Sequence, residues 1–495
     1  MLTLSVDEVF KLERYIFMIN NFFKPENAFV GDVIPFEKDG YAYLYFLYED
    51  RKVPKTGMPW HLIRTKDYVN YEYMGEALPS GGQYKDDFNC YTGSVVTDHK
   101  GLIHLFYTGN NPRTMDANGK SLQLVMHAIS DDNMKTWQKQ ENMTFGAFDN
   151  YEPYDWRDPY VFYDEDNCIW RMLLAARKKT GPERRRGVTA QCISKDLIHW
   201  EEATPFWNPN KYIAMECPEV FKWGDWWYFI YSEFSDGFTT QYKMSKSVDG
   251  PWLTPKFNSI DGRAFYASKS VFLNNRRYFT GWISTKENQN DDGLWQWAGT
   301  MSTLEATQNE DGTLSFKLPD EVIQNIGDGD DKEIQLGTKI QQANGYKDII
   351  FDQTTNSERN YLKLTFNIFE NTRDWGMLLR ASDDGNESYV IRVEMNRNRM
   401  VFDRWPRKRL GSEQWQESSG DVPFYIELER PIDIDNGQHV IEVLQEGTLA
   451  VIVLDGKTAM SVRMYNRMSG HVGAFVDDGT IDVLDRKSTR LNSSH

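Results

Sequence analysis

Between about residues 31 and 305, apolar strands and polar turns alternate, and the whole pattern repeats five times. Each repeat contains a small or charged residue, an apolar strand, a polar turn and a second strand rich in aromatic residues. The turns carry Gly, Asp and Asn between β-forming residues, which is typical of hairpins. The repeats begin at Gly31, Thr92, Arg157, Glu216 and Ser268. This stretch therefore predicts five repeated β-units.

A short second motif follows four of the hairpins and predicts the outer part of each unit. It begins with Ser or Thr, contains Asp and ends with an aromatic residue, as in TKDYVNY at 65–71 and SKDLIHW at 194–200. Four strands in each of five units are typical of an all-β fold, the five-bladed β-propeller. We therefore predict a propeller domain over residues 24–317.

Beyond residue 317 the pattern changes. Residues 334–484 contain short strands with alternating polar and apolar positions, such as YLKLTFNIF and SYVIRVEM, separated by turns. This spacing, without the propeller repeat, predicts a C-terminal β-sandwich. We further predict a helical segment at 1–23, a linker at 318–333 and a non-native, adapter-derived tail at 485–495.

The composition excludes several classes of function. The formal net charge of −17 argues against binding to nucleic acid or to an anionic membrane surface. The four cysteines are far apart in the sequence, which predicts neither a structural metal site nor a disulfide scaffold. No segment has the pattern of a membrane span or a signal peptide, so a cytoplasmic location is expected, or secretion if the N-terminus is incomplete. The oligomeric state is left open.

Three acidic residues, Asp32, Asp158 and Glu216, stand at the starts of predicted innermost strands. Because the innermost strands of a propeller begin at one end of the central channel, we expect these side chains to converge. Clustering three carboxylates costs electrostatic energy, so the cluster indicates function rather than stability. In the aligned repeats Glu216 matches Arg157 rather than Asp158, and an offset of one residue turns a side chain to the other face of a strand. Either these residues precede the regular strand, or a β-bulge re-aims one of them.

Each acid also has a structural interpretation. Asp32 is suited to capping a turn at the start of a strand, and Asp158 is suited to an ion pair with Arg157 or Arg177. Glu216 has the alternative of a solvated loop carboxylate. The expected convergence on one funnel favours the functional interpretation for all three.

Two short motifs, Arg157-Asp158-Pro159 and Glu216-Cys217-Pro218, resemble motifs of the family 32 glycoside hydrolases, the invertase, inulinase and levanase group. The segment CYTGSV at 90–95 resembles that family's Phe-Ser-Gly-Ser motif, and FYASKSVF with GWIS at 265–284 extends the match. Several motifs in order on successive repeats are more specific than a lone tripeptide. That family also joins a five-bladed propeller to a C-terminal sandwich.

The resemblance implies that Asp32 is the nucleophile, Glu216 the acid/base and Asp158 a stabiliser of the transition state, with no metal or cofactor. Cleaving a fructoside requires one carboxylate near the anomeric carbon and a proton for the leaving oxygen. Neighbouring negative charges and partial burial are expected to raise the pKa of Glu216. The expected reaction is retaining hydrolysis of β-fructofuranosidic bonds in fructans, fructo-oligosaccharides or sucrose, with fructosyl transfer as a variant of its second step.

Further side chains are predicted to contact the substrate. They are Arg157, Ser94, Trp60, Cys217 and Trp282. Ser94 is equally suited to a turn, and Trp60, Trp282 and also Trp295 are equally suited to a propeller core. Cys217 is not expected to be a nucleophile, because no His stands in a comparable position.

One motif departs from the family pattern. The family's Trp-Met-Asn-Asp-Pro-Asn-Gly corresponds here to Val30–Phe36, which retains Asp32 but lacks the Asn and the Trp. The substrate is therefore left open among sucrose, fructans and another furanoside. Two alternatives remain: an inverting arabinofuranosidase or xylosidase like those of family 43, and a carbohydrate-binding protein without catalysis.

Overall fold

The computed structural model describes residues 17–19, 22–327, 332–356, 359–407 and 426–490. These residues form two compact units. The first unit extends to Ser259 and also contains Tyr266–Trp282 and Ala298–Leu314. The second unit contains Ile260–Phe265, Ile283–Trp297 and the described residues from Ser315 onward.

The first unit is a five-bladed β-propeller, as the repeat predicts. Strand β1 (Phe17–Ile19) pairs with the outer strand of blade I. Blade I consists of β2 (Phe29–Lys38), β3 (Tyr41–Glu49), β4 (Trp60–Thr65) and β5 (Asn70–Leu78). Blade II consists of β6 (Asn89–Thr97), β7 (Ile103–Met115), β8 (Ser121–Ser130) and β9 (Gln138–Lys139). Blade III consists of β10 (Tyr151–Asp164), β11 (Ile169–Lys178), β12 (Gly187–Ser194) and β13 (Glu201–Trp207).

The last two blades follow the same antiparallel plan. Blade IV consists of β14 (Glu216–Trp223), β15 (Trp226–Glu233) and β16 (Thr239–Ser245). Blade V contains β17 (Phe265–Leu273), β18 (Arg276–Lys286), β19 (Trp295–Gln308) and β20 (Leu314–Lys317), of which residues 265, 283–286, 295–297 and 315–317 are counted in the second unit. Short 3-10 helices lie at Glu141–Met143, Glu183–Arg185 and Glu287–Gln289. Strand β19 pairs with β2 at a single position, where Gly299 lies opposite Val30.

The second strands of the blades are buried on both faces, which explains their continuous apolar sequences. Strands β3 and β15 each contain six consecutive buried residues. A strand covered on both sides has no solvent face, so the alternation of polar and apolar positions is lost. Hydrophobic clusters that mix aromatic and aliphatic side chains fill the spaces between neighbouring blades.

A β-bulge interrupts the inner strand of each of the first four blades. In β10 the register shifts by one residue between Arg157 and Tyr160, and in β14 between Glu216 and Glu219. Strands β2 and β6 shift in the same way at 30–33 and 91–93. A bulge adds one residue and re-aims the side chains beside it. A bulge, one of the two explanations expected for the one-residue offset between the two motifs, is therefore present in both strands.

The second unit is a β-sandwich that follows the helix α1 (Asp320–Gly327). Its strands are β21 (Lys332–Thr355), β22 (Asn360–Ile368), β23 (Asp374–Ala381), β24 (Ser388–Glu394), β25 (Arg399–Trp405), β26 (Leu428–Pro431), β27 (Gly437–Glu446), β28 (Leu449–Leu454), β29 (Thr458–Arg463) and β30 (Gly470–Arg490). The first half of β30 pairs with β23, and its second half pairs with β22. The long pair of β21 and β30 thus continues from one layer, which contains β23 to β26, into the other, which contains β22 and β27 to β29.

The predicted ends and linker fall partly on described residues. Of the segment 1–23, the structure describes residues 17–19 and 22–23. Phe17–Ile19 form a strand rather than the predicted helix. The rest of that predicted helix lies outside the described residues. The stretch 318–333 contains helix α1 and the start of β21. Strand β30 includes 485–490 of the predicted tail, and 491–495 lie outside the described residues. Searching the described residues reveals no helix with the length and apolar character of a membrane span.

Candidate active site

The bulges place three carboxylates within range of one another. The charge of Asp158 acts on both Asp32 and Glu216, and the charge of Asp32 acts on Glu216. Cys217 joins two of them directly, since its backbone N–H lies 2.9 Å from Asp158 Oδ2 and its Sγ lies 3.7 Å from Asp32 Oδ2. Residues from blades I, III and IV therefore share one site, although up to 184 positions of sequence separate the acids of blades I and IV.

Asp32 lies in the bulge of β2 and accepts two strong hydrogen bonds. Thr92 Oγ1 donates to its Oδ2 at 2.5 Å, and Trp282 Nε1 donates to its Oδ1 at 2.9 Å. Burial raises the pKa of Asp32, and the Asp158 charge raises it further, whereas the two donors lower it. Donors aimed at both oxygens stabilise the ionised form and fix the orientation of the carboxylate.

Asp158 is the bulge residue of β10, and its backbone has a φ of 60°. Its N–H donates to Thr108 Oγ1 at 2.8 Å, and its Oδ2 accepts the N–H of Cys217. Cys217 also has a positive φ, 51°. Left-handed backbone at a residue other than Gly costs free energy, and the surrounding structure must hold it in place. Here that backbone turns the Asp158 side chain away from the regular alternation of the strand.

Glu216 begins β14 and keeps a partly open side chain, 25% exposed. Arg157 Nη2 donates to Oε1 at 3.1 Å, and the hydroxyl of Tyr266 donates to Oε2 at 2.8 Å. Burial raises the pKa of Glu216, the Arg157 charge opposes this, and the charges of Asp158 and Asp32 raise it. The predicted upward shift agrees with this environment, with burial rather than neighbouring charge as its largest cause.

Arg157 and Arg177 both form ion pairs with Asp155. Arg157 Nη1 lies 2.7 Å from Asp155 Oδ1, and Arg177 Nη1 lies 3.3 Å from Asp155 Oδ2. The alternative in which Asp158 is the ion-pair partner of Arg157 or Arg177 is therefore wrong. The Asp158 carboxylate instead accepts a hydrogen bond from the backbone of the neighbouring blade and lies among the three acids of the site.

Two predicted sugar contacts are contradicted by burial. Trp60 is fully buried, and its Nε1 donates to the backbone oxygens of Cys90 at 3.0 Å and Tyr91 at 3.2 Å. Ser94 is buried, donates to Pro159 O at 2.8 Å and accepts the N–H of Val161 at 3.0 Å. Trp60 therefore packs in the core, and Ser94 joins blades II and III.

Two further predicted contacts lie at the site with different roles. Trp282 is fully buried, so it has no open face for a sugar, and its indole N–H holds Asp32 instead. Cys217 is also buried, and it positions Asp32 and Asp158 rather than a ligand. Burial raises the pKa of the Cys217 thiol well above its usual range. Trp295 belongs to the second unit, where the Lys286 ammonium lies 4.4 Å from its ring centroid.

Sequence reasoning missed Thr92 and Tyr266. Thr92 occupies the bulge of β6, the same place that Asp32 occupies in β2. Tyr266 precedes a residue with positive φ, Ala267, just as Glu216 precedes Cys217. Aligning the repeats position by position would therefore have placed both residues at the site.

A second polar group lies further along the inner strands. Glu219 accepts hydrogen bonds from the backbone N–H of Ser270 at 2.8 Å and from its hydroxyl at 2.9 Å. Lys269 Nζ donates to Gly93 O at 2.9 Å, and Arg277 Nη1 donates to Ser270 Oγ at 2.8 Å. These residues line a cavity of about 220 Å³ to which all five inner strands contribute. Burial raises the pKa of Glu219 to about 7.

The side chains of the site are suited to proton transfer and to stabilising positive charge. A carboxyl with a raised pKa can give a proton to a leaving oxygen, and a carboxylate held by two donors can approach an electron-poor carbon. Over the described part of the chain, no three or more His, Cys, Asp or Glu residues are grouped to hold a metal ion.

Known proteins share both the sequence pattern and the fold. The model of the glycosyl hydrolases family 32 N-terminal domain matches residues 23–316. The chain is 23% identical to the levanbiose-producing levanase of Bacillus subtilis, over 93% of this chain and 88% of that protein. It is 24% identical to the sucrose-6-phosphate hydrolase of Zymomonas mobilis, over 70% of this chain and 69% of that protein.

A solved structure extends the likeness to both units. Fructan 1-exohydrolase IIa of Cichorium intybus, crystallised with 1-kestose, has a TM-score of 0.73 at 17% identity and covers 95% of this chain and 97% of its own. At that identity the likeness shows the shared fold, and the matched family model shows the kinship. The chain therefore belongs to glycosyl hydrolase family 32 and is a glycoside hydrolase.

Proposed function

We propose that this protein hydrolyses β-fructofuranosidic bonds with retention, using Asp32 as nucleophile, Glu216 as acid/base and Asp158 as stabiliser of the transition state. The observation that carries the proposal is the different treatment of Asp32 and Glu216. Both carboxyls are partly exposed and lie near another acid, but Asp32 is held by two neutral donors, Thr92 and Trp282, whereas Glu216 accepts hydrogen bonds from the charged Arg157 and from Tyr266. Groups with separate environments of this kind divide the roles of nucleophile and acid.

In the first step Asp32 attacks the anomeric carbon of the fructosyl group while the bond to the leaving oxygen breaks. Glu216 gives its proton to that oxygen, so the leaving group departs as a neutral alcohol. The product of this step is a covalent fructosyl ester of Asp32. Glu216 is now a carboxylate, and Arg157 and Tyr266 are placed to stabilise its charge.

In the second step Glu216 takes a proton from water, and the oxygen of that water attacks the same carbon. The ester bond breaks, Asp32 is released as a carboxylate, and Glu216 is protonated again. In the transition state of each step the sugar ring carries partial positive charge. Asp158, which the Cys217 N–H holds by one oxygen, can face that charge or a ring hydroxyl with its other oxygen.

Relatives suggest the substrate class without fixing one member. The names of the two relatives describe a levanase and a sucrose-6-phosphate hydrolase, and the structural neighbour was crystallised with 1-kestose. We infer that a fructosyl group in a fructan, a fructo-oligosaccharide or a sucrose-type disaccharide occupies the site.

A panel assay tests this proposal. The full chain is incubated with sucrose, 1-kestose, inulin, levan and an aryl arabinofuranoside, and released sugars are separated by chromatography. We expect fructose or a fructose oligomer from at least one fructoside, with the β-anomer as first product by ¹³C NMR at the anomeric carbon. Glu216→Gln and Asp32→Asn should each lose about 10³-fold or more in kcat. Cleavage of the arabinofuranoside alone, or inversion at the anomeric carbon, would overturn the proposal.

A further inference from the structure

Arg157 is shared between two acids on opposite sides of its guanidinium. Its Nη2 lies 3.1 Å from Glu216 Oε1, and its Nη1 lies 2.7 Å from Asp155 Oδ1. Gln123 Oε1 also accepts from Nη1, at 3.4 Å. The arginine side chain is only 12% exposed, so water screens these contacts weakly.

Asp155 is held in place from the neighbouring strand. Arg177 of β11 donates to Asp155 Oδ2 at 3.3 Å, and its own Nη2 is held by Glu183 Oε1 at 2.7 Å. Asp155 lies on β10, two residues before Arg157, so both ends of the contact between them belong to one strand. Positive and negative charges therefore alternate from blade III to the acid of blade IV, in the order Arg177, Asp155, Arg157 and Glu216.

We propose that Asp155 is a positioning residue for the acid/base: it fixes the Arg157 guanidinium and balances part of its charge, so that Glu216 keeps its proton at the pH of catalysis. This inference rests on the proposed function, in which Glu216 must be protonated when the leaving oxygen departs. It assigns a role to a residue outside the three carboxylates. The role is exerted through Arg157, without contact to the substrate.

The sign of the effect follows from the charges. A cation beside a carboxyl stabilises its ionised form and lowers its pKa, and a second anion on the far side of that cation weakens this effect. In Asp155→Asn the full charge of Arg157 acts on Glu216, which therefore loses its proton at a lower pH. The other groups that act on Glu216, namely Asp158, Asp32 and Tyr266, stay in place.

The experiment measures kcat/KM against pH for the full-length wild type and Asp155→Asn, with a fructoside cleaved in the panel. We expect the alkaline limb, which reports the loss of the Glu216 proton, to move to lower pH by about 0.5 to 1 unit. An aryl β-fructofuranoside with a good leaving group needs less help from an acid. We therefore expect its kcat to fall less than that of the natural fructoside.

Asp164→Asn is the matched control. Asp164 lies on the same strand, is 1% exposed and pairs with Arg171, whose Nη2 lies 2.6 Å from Asp164 Oδ2. Both substitutions remove an Asp–Arg pair from blade III, but the pair at Asp164 lies at the far end of β10. Asp164→Asn should lower thermal stability and leave the alkaline limb where it is.

A second readout separates this inference from the proposed function. The carboxyl stretching band of Glu216 is isolated as the infrared difference between proteins with and without Glu216→Gln. This band is then titrated with pH both in the otherwise wild-type chain and in the Asp155→Asn variant. A lower midpoint in Asp155→Asn supports the inference even in an enzyme that leaves the fructosides of the panel intact, which overturns the proposed function alone. An unchanged midpoint and an unchanged alkaline limb in a folded Asp155→Asn overturn the inference. Equal shifts in Asp164→Asn would do the same.

Discussion

Replacing Thr92 by Val tests how the candidate nucleophile is kept ionised. The Thr92 hydroxyl donates to Asp32 Oδ2 at 2.5 Å, and Trp282 serves the other oxygen at 2.9 Å. Valine has nearly the same shape as threonine, so the substitution removes the hydrogen bond without leaving a cavity. After it, the hydrogen-bond contact that Asp32 Oδ2 retains among the described residues is the weak one with the Cys217 thiol at 3.7 Å.

The magnitude follows from the strength of hydrogen bonds to charged groups. Such a bond contributes about 1.5–3 kcal/mol, and about 1.4 kcal/mol corresponds to one pKa unit. The pKa of Asp32, which burial already raises, is therefore expected to rise by a further one to two units, roughly. A higher pKa of the nucleophile moves the acid limb of kcat/KM to higher pH by the same amount. The rate on the plateau should change less, because a more basic carboxylate is also a better nucleophile.

The assay is a pH profile of kcat/KM on a cleaved fructoside, with thermal unfolding to show that the variant is folded. Thr189→Val is the matched control, since Thr189 is fully buried in blade III and its hydroxyl has no hydrogen-bond partner among the described residues. That variant should keep both the wild-type limb and the wild-type stability. A folded Thr92→Val enzyme with an unchanged acid limb would refute the assignment of this hydrogen bond to the nucleophile.

Three further predictions concern buried charge. Burial raises the pKa of Glu219 to about 7 from an ordinary 4.5. The free energy of unfolding should therefore fall by about 3 kcal/mol as the pH rises between these two values. Urea titrations at several pH values should show that Glu219→Gln abolishes this fall. Burial lowers the pKa of His127 to about 3 from an ordinary 6.5. The free energy of unfolding should therefore fall by about 3–5 kcal/mol as the pH drops between these two values. In the same titrations His127→Gln should reduce this fall. In the second unit, Lys286 pairs with buried Glu427, and Lys286→Met should lower the free energy of unfolding by about 3–5 kcal/mol by calorimetry.

Each of these predictions has a contrary outcome. For Glu219→Gln the contrary outcome is a free energy of unfolding that still falls with rising pH as much as in the wild type. For His127→Gln it is a free energy of unfolding that still falls with decreasing pH as much as in the wild type. For Lys286→Met the matched control is the double variant with Glu427→Leu, which should recover much of the loss because no buried charge is left unpaired. If the single and double variants were equally destabilised, packing of the lysine stem rather than its charge would be the cause.

The fold could be predicted well because its signal is repeated. Five copies of one hairpin pattern predict five blades, and the shared direction of the inner strands predicts that Asp32, Asp158 and Glu216 meet. The one-residue offset between Asp158 and Glu216 left a bulge as one of two explanations, and β10 and β14 both contain one. These features depend on local sequence and on the geometry common to every propeller.

The contacts of individual side chains were predicted less well. Trp60 and Ser94 were expected near a sugar, but Trp60 fills the core and Ser94 joins two strands. Trp282 was expected to contact the substrate or to fill the core, but its N–H also holds Asp32. A residue type and its place in a repeat do not state which neighbour it will face, because that neighbour comes from another blade.

The sequence by itself determined the class of the fold, the number of blades and the three acids that they bring together, since each follows from a repeated local pattern. Only the tertiary structure decided what each acid touches. Asp32 is held by residues 60 and 250 positions away in the sequence, and Glu216 shares Arg157 with Asp155, which no motif had marked. The electrostatics of a buried group depend on every charge and donor within a few ångströms, and it is the packing of the blades that chooses them.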